Sequence, residues 1–292
     1  MIRGIDVSEH QGEIQWSRVK AAGIGFAVIR AGYGRELSQK DVQFEANYAG
    51  CTSAGIPAGA YWYSYAVTPE EARQEAAVCL RVLRGKSFAF PVYFDLEERR
   101  ALALGRAACT AIAQAFLETV EQAGYFVGIY SSKSHLENCL TEELRKRYAV
   151  WVAHYGVKQT DYAGQHGMWQ YSSTGSVDGI GGNVDLNECY TDYAAIISGK
   201  KLNGYGAAPE KLRYDWKAGQ RVQLDKEKTQ LFANDTSATP AAYLPKGVYY
   251  IYDGVPCGLG RFRVTTRAEF CEKKPAGKYV TGYVSVDNFR EV

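Results

Sequence analysis

Short β-branched or aromatic segments alternate with longer amphipathic segments through the first 145 residues, and this alternation constrains the fold more than any other feature. A repeated strand–helix order predicts a parallel sheet flanked by helices. The predicted strands are residues 3–7, 25–31, 58–65, 90–96 and 125–131. The predicted helices are residues 16–22, 41–54, 69–83, 106–123 and 133–146.

The pattern changes after residue 146, where Gly-rich loops without convincing helices separate three more strand-like segments. These predicted strands are residues 150–153, 168–172 and 183–186. Five strand–helix units followed by three strands favour a closed but irregular α/β barrel. The active site of such a barrel is expected at the carboxyl ends of its strands.

A Gly-, Lys- and Ala-rich stretch divides the chain, so we predict a barrel domain at residues 1–198 and a linker at residues 199–219. Residues 220–292 form the remaining predicted domain. Its short strand-like segments, punctuated by turn residues, indicate a small all-β barrel or sandwich. These segments are residues 221–224, 229–232, 247–252, 261–266 and 279–286.

Charge and cysteine content narrow the class of protein. Residues 1–200 carry 19 Lys and Arg against 22 Asp and Glu, whereas residues 201–292 carry 15 against 10. The excess of basic residues at 201–292 is consistent either with binding to an anionic polymer or with a role in solubility. No nucleic-acid motif accompanies it. Seven cysteines without a C-x-x-C pair indicate reduced thiols.

The chain opens directly on a strand, without an apolar leader, and has no run of about 18 apolar residues. We therefore expect synthesis in a cytoplasm without a signal peptide and no insertion into a membrane. Action elsewhere would then follow release or non-classical export.

Two carboxylates, Asp95 and Glu97, end the apolar segment at residues 90–96. Their spacing places both acids on one face of a strand, opposite the apolar face. Two adjacent acids suggest acid/base chemistry. The alternative is a solvated strand end, because Glu98 and two arginines follow directly.

Polar and aromatic residues at the other strand ends favour the functional interpretation. If the strands form a barrel, these residues meet at one mouth. Besides the Asp95–Glu97 pair, they are Asp6, Arg30, Tyr61, Tyr63, Tyr130, Trp151, Tyr155, Gln170 and Asp185.

Four acids in one confined mouth cannot all ionise freely, so at least one should hold a proton near neutral pH. A protonated acid beside an ionised carboxylate is the arrangement that glycoside hydrolysis needs, and Glu97 is the predicted proton donor. No cofactor and no metal are predicted. A carboxylate site for Mg²⁺ or Ca²⁺ stays open as an alternative, since such acids suit a hard cation.

Six motifs follow one another along roughly residues 2 to 195. They are Gly4-Ile-Asp-Val-Ser-Glu-His-Gln-Gly12, Val28-Ile-Arg-Ala-Gly-Tyr-Gly34, Phe94-Asp-Leu-Glu97, Trp151-Val-Ala-His-Tyr155, Trp169-Gln-Tyr171 and Val184-Asp-Leu-Asn187. In this order they resemble the family 25 glycoside hydrolases, which are muramidase-type lysozymes of phage endolysins and bacterial autolysins.

The resemblance implies an irregular (β/α)5(β)3 barrel that cuts the β-1,4 bond between N-acetylmuramic acid and N-acetylglucosamine in peptidoglycan. It also implies residue roles. Glu97 corresponds to the catalytic acid, Asp95 to its partner carboxylate, and Asp6 and Asp185 to flanking acids. Sugar-binding residues would be Arg30, Tyr61, Tyr63, Trp151, Tyr155 and Gln170. The position of Tyr130 at a strand end adds it to the predicted substrate-binding residues.

Strand spacing does not decide between retaining and inverting chemistry. We favour a third route, in which the substrate's 2-acetamido group is the internal nucleophile and Asp95 orients or stabilises it. The C-terminal region weakly resembles a bacterial SH3-like wall-binding module, with a stabilising β appendage as the alternative. Rival functions are a chitinase-like hydrolase and a non-catalytic glycan-binding protein.

Overall fold

The computed structural model describes residues 1–205, 215–235, 237, 239–257 and 260–292. The chain divides into two compact units, Met1–Ala208 and Pro209–Val292. Within the described residues, no helix is long and apolar enough to cross a membrane.

A closed eight-stranded barrel forms the centre of the first unit. Its strands are β1 (Ile2–Val7), β2 (Phe26–Tyr33), β3 (Ala58–Tyr63), β4 (Val92–Asp95), β5 (Val127–Ser132), β6 (Ala149–Ala153), β7 (Met168–Gly175) and β8 (Val184–Cys189). Strands β1 to β7 pair with their neighbours in parallel. Strand β8 runs antiparallel to both β7 and β1 and closes the barrel.

Helices lie between the first six strands. They are α1 (Trp16–Ala21), α2 (Phe44–Ser53), α3 (Pro69–Leu83), α4 (Arg99–Leu102), α5 (Arg106–Gln122), α6 (Lys133–Cys139) and α7 (Glu142–Arg147), and α8 (Tyr193–Gly199) follows β8. Local sequence explains the start of α3, because the Thr68 hydroxyl accepts the Glu71 N–H and Pro69 occupies the first turn.

The helix predicted at residues 133–146 is in fact two helices. Leu140 adopts an extended conformation after α6, and the Thr141 hydroxyl caps α7 by accepting the Leu144 N–H. A capping threonine competes with the helix interior for backbone hydrogen bonds, so the chain restarts there. The short helices α4 and α8 were not predicted.

Large side chains fill the inside of the barrel. Every second residue of a strand points inward, and the buried inward cluster includes Phe26, Tyr93, Trp151 and Met168. Phe26 stacks on Phe90 with ring centroids 4.5 Å apart. The inside of the barrel is therefore a packed core.

The stretch predicted as a linker, residues 199–219, contains residues that pack within each of the two units. Asn203 is fully buried, and its side chain accepts the Phe126 N–H and donates to the Phe90 carbonyl oxygen. These bonds attach residues up to 205 to the barrel. At the other end, Trp216 is buried in the core of the second unit, and residues 206–214 lie outside the described residues.

The regular secondary structure in the described part of the second unit consists mostly of β-strands. Its strands are β9 (Arg221–Leu224), β10 (Thr229–Leu231), β11 (Ala242–Leu244), β12 (Gly247–Ile251), β13 (Arg261–Thr265), β14 (Gly282–Ser285) and β15 (Arg290–Glu291), and a short helix, α9 (Ala276–Tyr279), precedes β14. One sheet has the order β14-β13-β12-β9-β15, and β10 pairs with β11. Strands β11 and β15, of three and two residues, were not predicted.

Candidate active site

A cavity of about 210 Å³ opens at the carboxyl ends of strands β1 to β7. None of the residues that line it in the described chain carries a positive charge. Ten of the eleven residues predicted for the site line this cavity: Asp6, Tyr61, Tyr63, Asp95, Glu97, Tyr130, Trp151, Tyr155, Gln170 and Asp185.

Strand β4 and the residues after it deliver the two central acids. Asp95 ends β4 and is 3% exposed. The chain stays extended beyond β4 because the Leu96 N–H donates to the Tyr130 carbonyl oxygen at 3.0 Å, and the Ser131 hydroxyl donates to the Leu96 carbonyl oxygen. The alternation therefore continues, and Glu97 reaches the cavity beside Asp95.

A buried hydrogen-bond network holds Asp6 at the cavity floor. Its Oδ2 accepts from Gln170 Nε2 at 2.7 Å and from Asn187 Nδ2 at 2.8 Å. Asn187 Oδ1 accepts the Trp151 Nε1–H at 2.8 Å. Gln170 Oε1 accepts the hydroxyls of Tyr130 and Tyr155. The network fixes the orientation of the carboxylate and of three aromatic walls.

Asn187 is a site residue that the sequence analysis missed. It lies two positions after Asp185 on β8, on the same strand face, and is fully buried. The alternation of β8 was the available signal. The predicted strand, residues 183–186, ended too early for that signal to be used.

Asp185 reaches the mouth from the opposite direction. It is the second residue of β8, not a residue near its end, and its Cα pairs with that of Asp6. Because β8 is antiparallel, its beginning lies where the parallel strands end. The predicted location is correct, although the strand bounds from which it was inferred are wrong.

All four acids have pKa values above their ordinary range. Burial, then the charge of Asp185, raises the pKa of Asp6 to about 8. Burial and the charges of Glu97 and Asp6 raise the pKa of Asp95 well above its usual value. Burial also raises the pKa of Glu97, with the charge of Asp185 second, and that of Asp185 itself. Protonated carboxyl groups are therefore present near neutral pH.

Asp95 has an incomplete set of hydrogen bonds. Its Oδ1 is buried and has no partner among the described residues. Buried polar atoms in native proteins nearly always have a partner, so an unpaired oxygen in a cavity wall is suited to a ligand donor.

Arg30 does not line the cavity, contrary to prediction. Its Nε donates to Asp41 Oδ2 and its Nη2 donates to Glu9 Oε1, both at 2.7 Å. These two carboxylates draw the guanidinium away from the cavity. Its charge nevertheless lowers the pKa of Asp95 against the larger effect of burial, so Arg30 acts on the site at a distance.

Aromatic rings form the walls of the cavity. Trp151 packs against Tyr130 with centroids 4.3 Å apart and against Tyr61 at 6.2 Å. Flat apolar faces with hydroxyl edges suit sugar rings, which present apolar faces and polar rims. In the described chain, no group of His, Cys, Asp or Glu is arranged to hold a metal ion.

The sequence matches the family model described as Glycosyl hydrolases family 25 over residues 5–180. The chain belongs to this family. It is therefore a glycoside hydrolase, and the acids at the mouth of its barrel are the candidates for the catalytic groups.

Relatives within the family agree with this assignment. Lysozyme M1 of Streptomyces globisporus is 31% identical over 212 residues, which are 68% of this chain and 70% of that protein. The bacterial lysozyme structure from Streptomyces coelicolor matches with TM-score 0.59 and 28% identity, over 70% of this chain and 98% of that one.

A third match is the modular autolysin LytC from Streptococcus pneumoniae, solved in complex with a synthetic peptidoglycan ligand. It has a TM-score of 0.57 and 28% identity, over 64% of this chain and 46% of that one. The matched part of this chain therefore corresponds to about half of the autolysin.

Proposed function

We propose that this chain is an endo-acting lysozyme that hydrolyses the β-1,4 bond between N-acetylmuramic acid and N-acetylglucosamine in bacterial peptidoglycan. The observation that carries the proposal is the cavity in which Asp95 and Glu97 lie together, without a lining cation, between aromatic walls. Family membership and the lysozymes among the relatives support it.

Glu97 is the proposed general acid. It is less buried than Asp95 and can reach the oxygen of the leaving sugar, while partial burial keeps its pKa raised. A raised pKa keeps the proton available near neutral pH, as a general acid requires. Protonation of the glycosidic oxygen lets the C–O bond break as positive charge develops at the anomeric carbon.

Asp95 is the proposed stabilising carboxylate, and the substrate's acetamido group the internal nucleophile. The unpaired Asp95 Oδ1 supports this role, because an acetamido N–H would supply the missing donor. The hydrogen bond would orient the acetamido oxygen toward the anomeric carbon. That oxygen would attack as the leaving sugar departs, and water would later open the resulting oxazolinium ion with retention of configuration.

Substitution of Glu97 tests this function. Glu97→Gln should lower the rate of clearing of purified peptidoglycan by about a thousandfold, because the proton donor is lost. Glu98→Gln is the matched control, since Glu98 neighbours the site but does not line the cavity. Equal clearing by Glu97→Gln and wild type would remove Glu97 from the mechanism, and no clearing by wild type would reject the lysozyme.

Product analysis separates the alternatives. New reducing ends on N-acetylmuramic acid indicate a muramidase, whereas cleavage of chitin alone indicates a chitinase-like enzyme. Binding without any cleavage indicates a glycan-binding protein. Early NMR spectra that show inverted anomeric configuration would reject acetamido assistance.

The second unit is proposed to bind the cell wall. Residues 201–292 carry an excess of basic residues, and many wall polymers are anionic. Sedimentation with purified walls should fall when this unit is deleted. Full retention of wall binding would favour a stabilising appendage instead.

A further inference from the structure

Three tyrosines near the cavity form a row of ring contacts, which we call the tyrosine platform: Tyr33, Tyr63 and Tyr65. Tyr63 and Tyr65 meet edge to face with ring centroids 5.2 Å apart. Tyr65 meets Tyr33 in the same way at 5.8 Å. Of the three, only Tyr63 also lines the catalytic cavity.

Strand register connects the platform to the catalytic acids. Tyr33 on β2 pairs with Tyr63 on β3, and Tyr63 pairs with Asp95 on β4. Neighbouring strands lie about 4.8 Å apart, so the Tyr33 backbone is about 10 Å from that of Asp95. The platform therefore extends sideways from the acids along one row of the barrel mouth.

The backbone of the platform is held from both strands. The Gly34 N–H donates to the Tyr63 carbonyl oxygen at 3.1 Å, and the Trp62 Nε1–H donates to the Gly34 carbonyl oxygen at 3.0 Å. An ion pair between Arg35 and Glu71, at 2.9 Å, further joins the segments after β2 and β3.

Two carboxylates of α3 anchor the segment that carries Tyr65. Glu75 Oε1 accepts the Tyr65 N–H at 2.8 Å, and Glu71 Oε2 accepts the Val67 N–H at 2.9 Å. Glu75 is only 1% exposed, and burying a carboxylate is costly. The segment is therefore fixed at considerable cost, and such preorganisation favours ligand binding.

Packing alone does not explain the position of Tyr65. Tyr65 is 40% exposed although its backbone N–H is held by a buried acid. An aromatic residue that stabilises a core would be turned inward, whereas this ring is presented to solvent next to a cavity suited to sugars.

We propose that the tyrosine platform is a distal subsite that binds the glycan strand beyond the sugars flanking the cleaved bond. Its occupant is the polysaccharide itself, because the platform is continuous with the catalytic cavity through Tyr63. The Arg30 guanidinium lies over the Tyr33 ring, 5.7 Å from its centroid, so Tyr63 and Tyr65 are the rings that face the glycan in this proposal. The subsite makes long glycan strands better substrates than short ones. This inference rests on the proposed lysozyme function.

A chain-length series of uncrosslinked peptidoglycan oligosaccharides tests the subsite. Tyr65→Ala should lower kcat/KM about five- to tenfold on longer members, as expected for the loss of one aromatic contact. On the shortest oligosaccharide that wild type cleaves, the variant should match wild type. Tyr65→Phe should behave as wild type on both, because the ring is kept.

Tyr190→Ala is the matched control, since Tyr190 is 44% exposed but follows β8 at the other end of the barrel. It should leave cleavage of all lengths unchanged. Equal losses with Tyr65→Ala on short and long substrates, or no loss on either, would overturn the subsite.

Calorimetric binding of long glycan strands separates the subsite from the proposed function. The measurement compares Glu97→Gln protein with and without Tyr65→Ala, so that no cleavage interferes. Weaker binding with Tyr65→Ala supports the subsite even if wild type hydrolyses nothing, in which case only the lysozyme proposal fails. Equal binding overturns the subsite.

Discussion

Asn187 links the aromatic wall of the cavity to Asp6, and Asn187→Leu should destabilise the barrel and alter its pH dependence. The substitution approximately keeps the buried volume but removes both hydrogen bonds of the amide. Trp151 Nε1–H then loses its acceptor, and Asp6 Oδ2 loses one of its two amide donors.

The expected cost follows from these two bonds. A buried donor left without an acceptor costs about 1–3 kcal/mol, and a hydrogen bond to a charged group contributes about 1.5–3 kcal/mol. Together they predict a loss of about 2.5–6 kcal/mol in the free energy of unfolding above about pH 8, where Asp6 is ionised. Domains are typically stable by only about 5–15 kcal/mol, so the loss should be readily measured.

The loss should be smaller in acid. Burial and the charge of Asp185 raise the pKa of Asp6 from 3.8 to about 8, so the folded protein binds more protons than the unfolded chain between these values. The contribution of Asp6 to stability is full below 3.8 and is lost as pH rises through about 8. The Asn187 amide opposes this loss by lowering the pKa of Asp6, so the variant should suffer most at higher pH.

Urea unfolding followed by tryptophan fluorescence, at several pH values, measures both effects. Asn47→Leu in α2 is the matched control, because Asn47 is also buried but its Nδ2 has no partner among the described residues. It should change the unfolding free energy by less than about 1 kcal/mol. A similarly small change for Asn187→Leu, or one independent of pH, would refute the reasoning.

Three further predictions concern the buried acids. Asp95→Asn should lower the rate of peptidoglycan cleavage at least about a hundredfold. The same substitution should raise the midpoint of thermal unfolding near neutral pH, because burial disfavours the charged form of Asp95. A lower midpoint in calorimetry would contradict this. Burial raises the pKa of Glu75 to about 7, so folding takes up a proton and the free energy of unfolding falls by up to about 3 kcal/mol between about pH 4.5 and about pH 7. Glu75→Gln should remove this fall. A pH profile of urea unfolding that the substitution leaves unchanged would oppose the prediction. The alkaline limb of the kcat/KM profile should reflect a group above the ordinary glutamate pKa, since burial raises that of Glu97; a limb at the ordinary value would exclude Glu97 as the acid.

Local sequence periodicity determined much of the barrel. The strand at β4 and the position of Asp95 and Glu97 followed from a two-residue alternation that needs no knowledge of distant contacts. The start of α3 was similarly encoded by Thr68 and Pro69. The break between α6 and α7 was missed, because a single threonine cap is weaker than the helical pattern around it.

Only the tertiary structure decided how the side chains at the mouth divide their roles. The direction of β8 depends on pairing with two strands distant in sequence, and this pairing brings Asp185 and Asn187 to Asp6. Arg30 was expected at the cavity, but ion pairs with Glu9 and Asp41 hold it elsewhere. The sequence determined which residues lie near the strand ends, whereas long-range pairing and charge decided which of them line the cavity.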